Sequence, residues 1–85
     1  MSPAAAIHLK VITPHQILCE ADAAEVSLPG LDGLIGILPG HRPMVMALGE
    51  GTLTYRADDG ETDNYEVRGG YAEIRADLVL VFTEK

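Results

Sequence analysis

The chain has 85 residues, 47% of them hydrophobic, with 13 acidic against 6 basic side chains and a formal charge of −7 at pH 7. A chain this long forms one domain that buries roughly 60–65% of its unfolded surface, and its apolar content excludes a disordered tract. The negative field opposes phosphate backbones and anionic membrane surfaces, while the single Cys19 excludes an internal disulfide and fits a reducing compartment. Residues 1–6 lack the basic residues and apolar core of a secretory leader. No apolar run approaches the roughly 20 residues of a spanning helix, so direct membrane insertion is not expected.

Period-two alternation runs along the chain. Ile7, Leu9 and Val11 fall on one face, with His8 and Lys10 on the other. Thr13-Pro14-His15 breaks the run as a turn. Residues 16–20 read as a second strand whose inward set is either Ile17 with Cys19 or Leu18. Ala24, Val26 and Leu28 alternate with Glu25 and Ser27, and Pro29-Gly30 closes that strand. The segment from Leu28 to Pro43 then holds 4 glycines, 3 prolines and His41 among apolar side chains. Gly and Pro at that spacing forbid a helix and one long central strand. A short strand near 34–38 inside a shaped corner remains, and such a corner suits docking better than catalysis.

Residues 44–48 form the next apolar run, closed by Gly49-Glu50-Gly51. Leu53 and Tyr55 share one face of a strand over 52–56, and Asp58-Asp59-Gly60 signals a hairpin turn. On the return strand Tyr65 and Val67 oppose Asn64, Glu66 and Arg68, and Gly69-Gly70 permits another tight turn. Ala72 and Ile74 alternate with Tyr71, Glu73 and Arg75. The final run, Leu78-Val79-Leu80-Val81-Phe82, is apolar throughout and reads as a central strand buried on both faces. Nine or ten short strands with frequent turns imply one all-β unit over 1–85, an antiparallel sandwich or barrel. With three Tyr, one Phe and no Trp, its core is built from Val, Ile, Leu and Ala.

Chemistry is sparse. His8, His15, His41 and Cys19 form no close metal-ligand pair, so no metal is expected. Cys19 and Ser27 lie in strand-like sequence with no activating motif. Asp58, Asp59, Glu61 and Asp63 read as a solvated hairpin tip rather than an acid–base pair. The glycines punctuate strands instead of opening helices, which argues against a phosphate cradle. A cofactor-carrying arm needs a lysine at a hairpin tip, whereas Lys10 lies inside a strand and Lys85 is terminal. No cofactor and no catalytic residue are therefore expected. The reading left is a binding module, with Leu31, Leu34, Ile35, Met44 and Met46 around His41 as its candidate surface. A free-standing adaptor is the alternative form of that reading, and a carrier domain a more distant one.

Ordered motifs over nearly the whole chain resemble the amino-terminal domain of the epsilon subunit of F-type ATP synthases. They are Ile12-Thr13-Pro14, Val26-Ser27-Leu28-Pro29-Gly30, Gly33-Leu34-Ile35-Gly36-Ile37-Leu38-Pro39-Gly40-His41-Arg42-Pro43, Leu48-Gly49-Glu50-Gly51 and Val67-Arg68-Gly69-Gly70-Tyr71-Ala72-Glu73-Ile74. The resemblance implies an antiparallel ten-stranded β-sandwich. It implies a non-catalytic central-stalk subunit that binds the gamma subunit and the c-ring and couples proton or sodium-ion flow to ATP synthesis. It also implies a peripheral position on the cytoplasmic face of the bacterial inner membrane, with no nucleic-acid partner. Positions matching Thr13, His41 and Met46 lie at the gamma contact, Met46 replacing a hydroxyl of some relatives. The resemblance also implies that the loop with Asp32 and Leu34 faces the c-ring, where Asp32 is left to supply any acid because Leu34 stands where some relatives carry a carboxylate. Family members usually continue into a helical hairpin that restrains ATP hydrolysis and in some cases binds ATP. This chain stops at Phe82-Thr83-Glu84-Lys85, so inhibition by helix insertion is not expected of it.

Overall fold

In a computed structural model, which describes residues 6–84, nine strands form and no helix does. The leader reading of the first five residues and the terminal Lys85 lie outside the described residues. The strands are β1 (Ile7–Ile12), β2 (Ile17–Ala23), β3 (Glu25–Gly30), β4 (Gly33–Ile37), β5 (Met44–Ala47), β6 (Glu50–Arg56), β7 (Thr62–Arg68), β8 (Tyr71–Ile74) and β9 (Leu78–Phe82). They make a five-stranded sheet, ordered β2-β1-β9-β8-β5, and a four-stranded sheet, ordered β4-β3-β6-β7. The architecture is the all-β sandwich expected, with nine strands where the resemblance implied ten. All pairs are antiparallel except β1 with β9, which run parallel at the centre of the larger sheet.

Alternation fixes what each sheet buries. Ile7, Leu9 and Val11 of β1, Val79 and Val81 of β9, and Ala72 and Ile74 of β8 face inward. Val26, Leu28, Ile37, Leu53 and Val67 of the smaller sheet meet them. Aliphatic side chains interdigitating between two sheets give a stiff, densely packed body. β9 lies at the middle of its sheet but is buried on one face only, because Leu78, Leu80 and Phe82 are only half-covered by outer-face neighbours. In β2 the inward residues are Cys19 and Ala23, with Ala21 partly buried between them. A register shift opposite Val11 and Ile12 turns Ile17 to the outer face beside Ile12. β3 continues through Pro29 rather than ending at Leu28. The missing N–H does no harm there, since β3 pairs with β6 only over Glu25, Val26 and Ser27.

Cys19 is a free buried thiol of the core, against which Tyr55 and Tyr65 pack with their rings stacked and centroids 6.4 Å apart. Hydrogen bonding to that thiol, together with burial, pushes the Tyr65 hydroxyl up to about 12. Cys19 thus fills space in the core as a small apolar side chain.

The edge strand β2 is tied to β1 by a charge cluster on the outer face. His8 Nδ1 lies 3.1 Å from Asp22 Oδ1, and Nε2 lies 2.9 Å from Glu20 Oε2. Lys10 Nζ lies 3.8 Å from Glu20. Ionised carboxylates only accept, so both ring nitrogens donate and the imidazolium is the form that fits. Hydrogen bonds donated to Asp22 and then to Glu20 raise the His8 pKa above 6.5. A raised folded-state pKa gives stability that is complete below the unfolded value and lost as pH rises through the folded one. The partners are exposed, so the effect is small and screened by salt. Urea unfolding of the chain and of His8→Gln at about pH 5.5 and about pH 8.5 tests this. The wild-type advantage is expected at the lower pH and shrinks at the higher; an advantage that grows with pH contradicts the tie.

Candidate partner-binding surface

The Gly- and Pro-rich corner folds as a hairpin followed by a link between sheets. Leu31 and Asp32 form the exposed turn between β3 and β4. Leu34 is 71% exposed on the outer face of β4, and Leu31 is 70% exposed at the tip. Asp32 and Leu34 therefore stand together at one end of the smaller sheet. Ile35 is half-buried against the core.

The chain then crosses to the larger sheet through Pro39-Gly40-His41. The Gly40 N–H donates to the Ala76 carbonyl at 2.7 Å, which docks this link on the turn between β8 and β9. His41 is half-buried, and its Nδ1 donates to the Arg42 carbonyl at 2.9 Å. That bond leaves Nε2 as a free acceptor among the described residues.

Met46 does not face outward. It is only 8% exposed and packs towards Gly30 in the core, so its sulphur is not presented at the surface. Its strand neighbours Val45 and Ala47 take the outward positions, and Val45 is 69% exposed. Met44 is half-buried against the core. Thr13 is also buried. Its hydroxyl oxygen accepts from the Gln16 N–H at 3.2 Å and the His15 N–H at 3.3 Å, and its proton goes to the Gln16 carbonyl. The side chain shapes the β1–β2 turn and has no spare valence for a partner, while Pro14 and His15 of that turn are exposed.

The register assembles an apolar face that none of these residues alone reveals. Ala47 lies opposite Tyr71, Tyr71 opposite Phe82, and Phe82 opposite Ile12. Tyr71 and Phe82 stack with centroids 4.9 Å apart. Val45 lies opposite Glu73, which lies opposite Leu80. The outer face of the five-stranded sheet thus carries Val45, Tyr71, Leu80, Phe82, Ile12 and Ile17, with His41 near one end and the Thr13 turn at the other. Val45 and Tyr71 were missed as candidates, although strand alternation marks both as outward-facing. Among the described residues no nucleophile, base and oxyanion donors are grouped there; the face offers an apolar contact interrupted by Glu73, with the His8, Lys10, Glu20 and Asp22 cluster beside it.

Residues 6–85 match the model of the beta-sandwich domain of the ATP synthase Delta/Epsilon chain. The chain is 34% identical over 80 residues to the ATP synthase epsilon chain of Moorella thermoacetica, covering 94% of this chain and 60% of that protein. It is 46% identical over 76 residues to the ATP synthase epsilon chain of Prochlorococcus marinus strain MIT 9515, covering 89% and 56%. The chain therefore spans little more than half the length of these curated relatives. Among solved structures it is similar to a chain of the Euglena gracilis mitochondrial ATP synthase, in a cryo-EM structure of OSCP, F1 and c-ring in rotational state 1. That match has a TM-score of 0.86 at 26% identity, covering 93% of this chain and 51% of the other.

Proposed function

Since this chain belongs to the ATP synthase delta/epsilon chain family through its β-sandwich domain, we propose that it is a non-catalytic central-stalk element that joins the gamma subunit to the c-ring. The observation that carries this reading is the apolar outer face of the five-stranded sheet, on which Val45 and Tyr71 are exposed. Gamma covers that face. A stable contact buries at least roughly 1,200–2,000 Å² in total, with an apolar centre and a polar rim. His41 accepts a gamma donor through Nε2 at one end, and the turn built on Thr13 meets gamma at the other. Met46 acts from beneath, holding β5 against the core so that Val45 and Ala47 are presented.

The β3–β4 hairpin rests on the c-ring. Leu34 supplies the apolar contact, and Asp32 supplies the carboxylate for a basic or hydroxyl group on a ring loop. Proton or sodium-ion flow through the ring then turns gamma by way of a body that does not shear, because its two sheets interlock through fully buried side chains. Catalysis of ATP synthesis lies in other subunits. The chain sits peripherally at the cytoplasmic face of the bacterial inner membrane.

Tagged chain expressed in its host and recovered from solubilised membranes tests the proposal. Gamma and the c subunit are expected in the same eluate. Recovery of soluble partners without either overturns it and favours a free-standing adaptor.

A further inference from the structure

The four edges of the sandwich are not alike. On one side β2 carries Glu20 and Asp22, and β7 carries Asp63, Glu66 and Arg68, all exposed. Charges along an edge deter strand addition. On the other side, β4 has no ionisable side chain from Gly33 through to Gly40. β5 is also uncharged but only four residues long, and it is preceded by Pro43.

The open groups of β4 follow from its pairing with β3. The two-residue turn at Leu31 and Asp32 makes Gly30 and Gly33 a mutually bonded pair. Antiparallel alternation then gives Leu28–Ile35 and Val26–Ile37 the same pattern. Leu34 and Gly36 therefore direct their N–H and C=O groups away from β3, into the open edge. Pro29, which has no N–H, lies opposite Leu34 and agrees with this assignment.

We propose that β4 is a self-pairing edge, through which two copies of this chain join antiparallel about an axis at Ile35. In that register Leu34 of one copy lies opposite the partner's Gly36, and each exchanges both of its free backbone bonds with the other. The exposed Leu34 side chain covers the bare backbone of the partner's Gly36, and Ile35 meets the partner's Ile35 on the core side. A strand laid antiparallel on itself satisfies two-fold symmetry automatically, and here every outward backbone group finds its complement. Because a single edge buries less than a standard interface and each copy carries −7, the association is weak and is strengthened by salt.

Sedimentation of the chain between about 10 µM and about 1 mM, at low and high salt, tests the proposal. A dimer fraction that rises with concentration and salt is expected. Gly36→Lys should stay monomeric throughout; a Cβ there meets only Glu25 Oε2 at 3.9 Å, so the fold tolerates it. Asn64→Lys on the β7 edge should dimerise like wild type. At high concentration the amides of Leu34 and Gly36 should exchange more slowly, while those of Ile35 and Ile37, already bonded to β3, should not change. A chain that is monomeric in every condition, or a dimer unaffected by Gly36→Lys, overturns the proposal.

Discussion

Gly70→Ala lowers the unfolding free energy by at least about 3 kcal/mol. Two penalties combine at this one position. Gly70 has φ of 100°, a conformation that L side chains rarely adopt. A Cβ built there also runs into the Phe82 carbonyl, with Thr83 Cα only 3.0 Å away. The obstacle is backbone and does not swing aside. Nor is it a free end: the Leu48 N–H donates to the Gly70 carbonyl at 3.0 Å, and the Arg68 N–H donates to Thr83 Oγ1 at 3.0 Å. The crossing from the smaller sheet to the larger therefore moves as a unit or not at all. Gly60 separates the two penalties. Its φ of 91° is similar, yet nothing lies within 4 Å of an added Cβ. Gly60→Ala should cost about 1 kcal/mol, and urea denaturation of both variants measures the gap. Equal losses would place the whole effect in dihedral strain and none in the close approach.

Val45→Asp weakens binding to purified gamma by about 100-fold, ~2.8 kcal/mol, while leaving the domain folded. Val45 is 69% exposed, so the free chain loses little packing. In the proposed complex gamma covers this side chain at the β5 edge of the face, and the new carboxylate is buried without a partner. Its cross-strand neighbour is Glu73, so the substitution also sets like charges side by side. His41→Ala acts at the rim and costs less. Calorimetric titration of gamma with each variant measures the order; a Val45→Asp variant that binds like wild type would place gamma elsewhere.

The sandwich was legible because its strands obey period two almost without interruption. β1, β3, β6, β7 and β8 turn inward the side chains that alternation selects, Tyr55 and Tyr65 being only partly buried and Ala24 lying before β3, and the turns at Asp58-Asp59-Gly60 and Gly69-Gly70 use positive φ as their glycines suggest. Three features were not legible, each for a long-range reason. The parallel pairing of β1 with β9 joins the two ends of the chain, and no local pattern encodes it. The bulge that turns Ile17 outward depends on the register opposite Ile12. The outer face of β9 looked buried because Leu78, Leu80 and Phe82 are apolar, whereas only side chains of the same sheet, such as Tyr71, shelter them.

The site was read less well than the fold. Asp32, Leu34 and His41 are on the surface or at its margin, as a turn-rich corner requires. Met46 and Thr13, placed at the gamma contact by the resemblance, are buried. Strand parity within 44–48 already excluded Met46 from the face that Val45 occupies, since Met46 and Leu48 share the inward side. Tyr71 needed the sheet itself, because only the β8–β9 and β5–β8 registers reveal the row it joins.

Hydrogen–deuterium exchange of the chain, free and saturated with purified gamma, tests the central claim most directly. Protection is expected at β5, β8, the link at His41 and the turn at Thr13, which lie on or border the apolar outer face, with the four-stranded sheet unchanged. Protection confined to the four-stranded sheet, or none at any strand, contradicts the account.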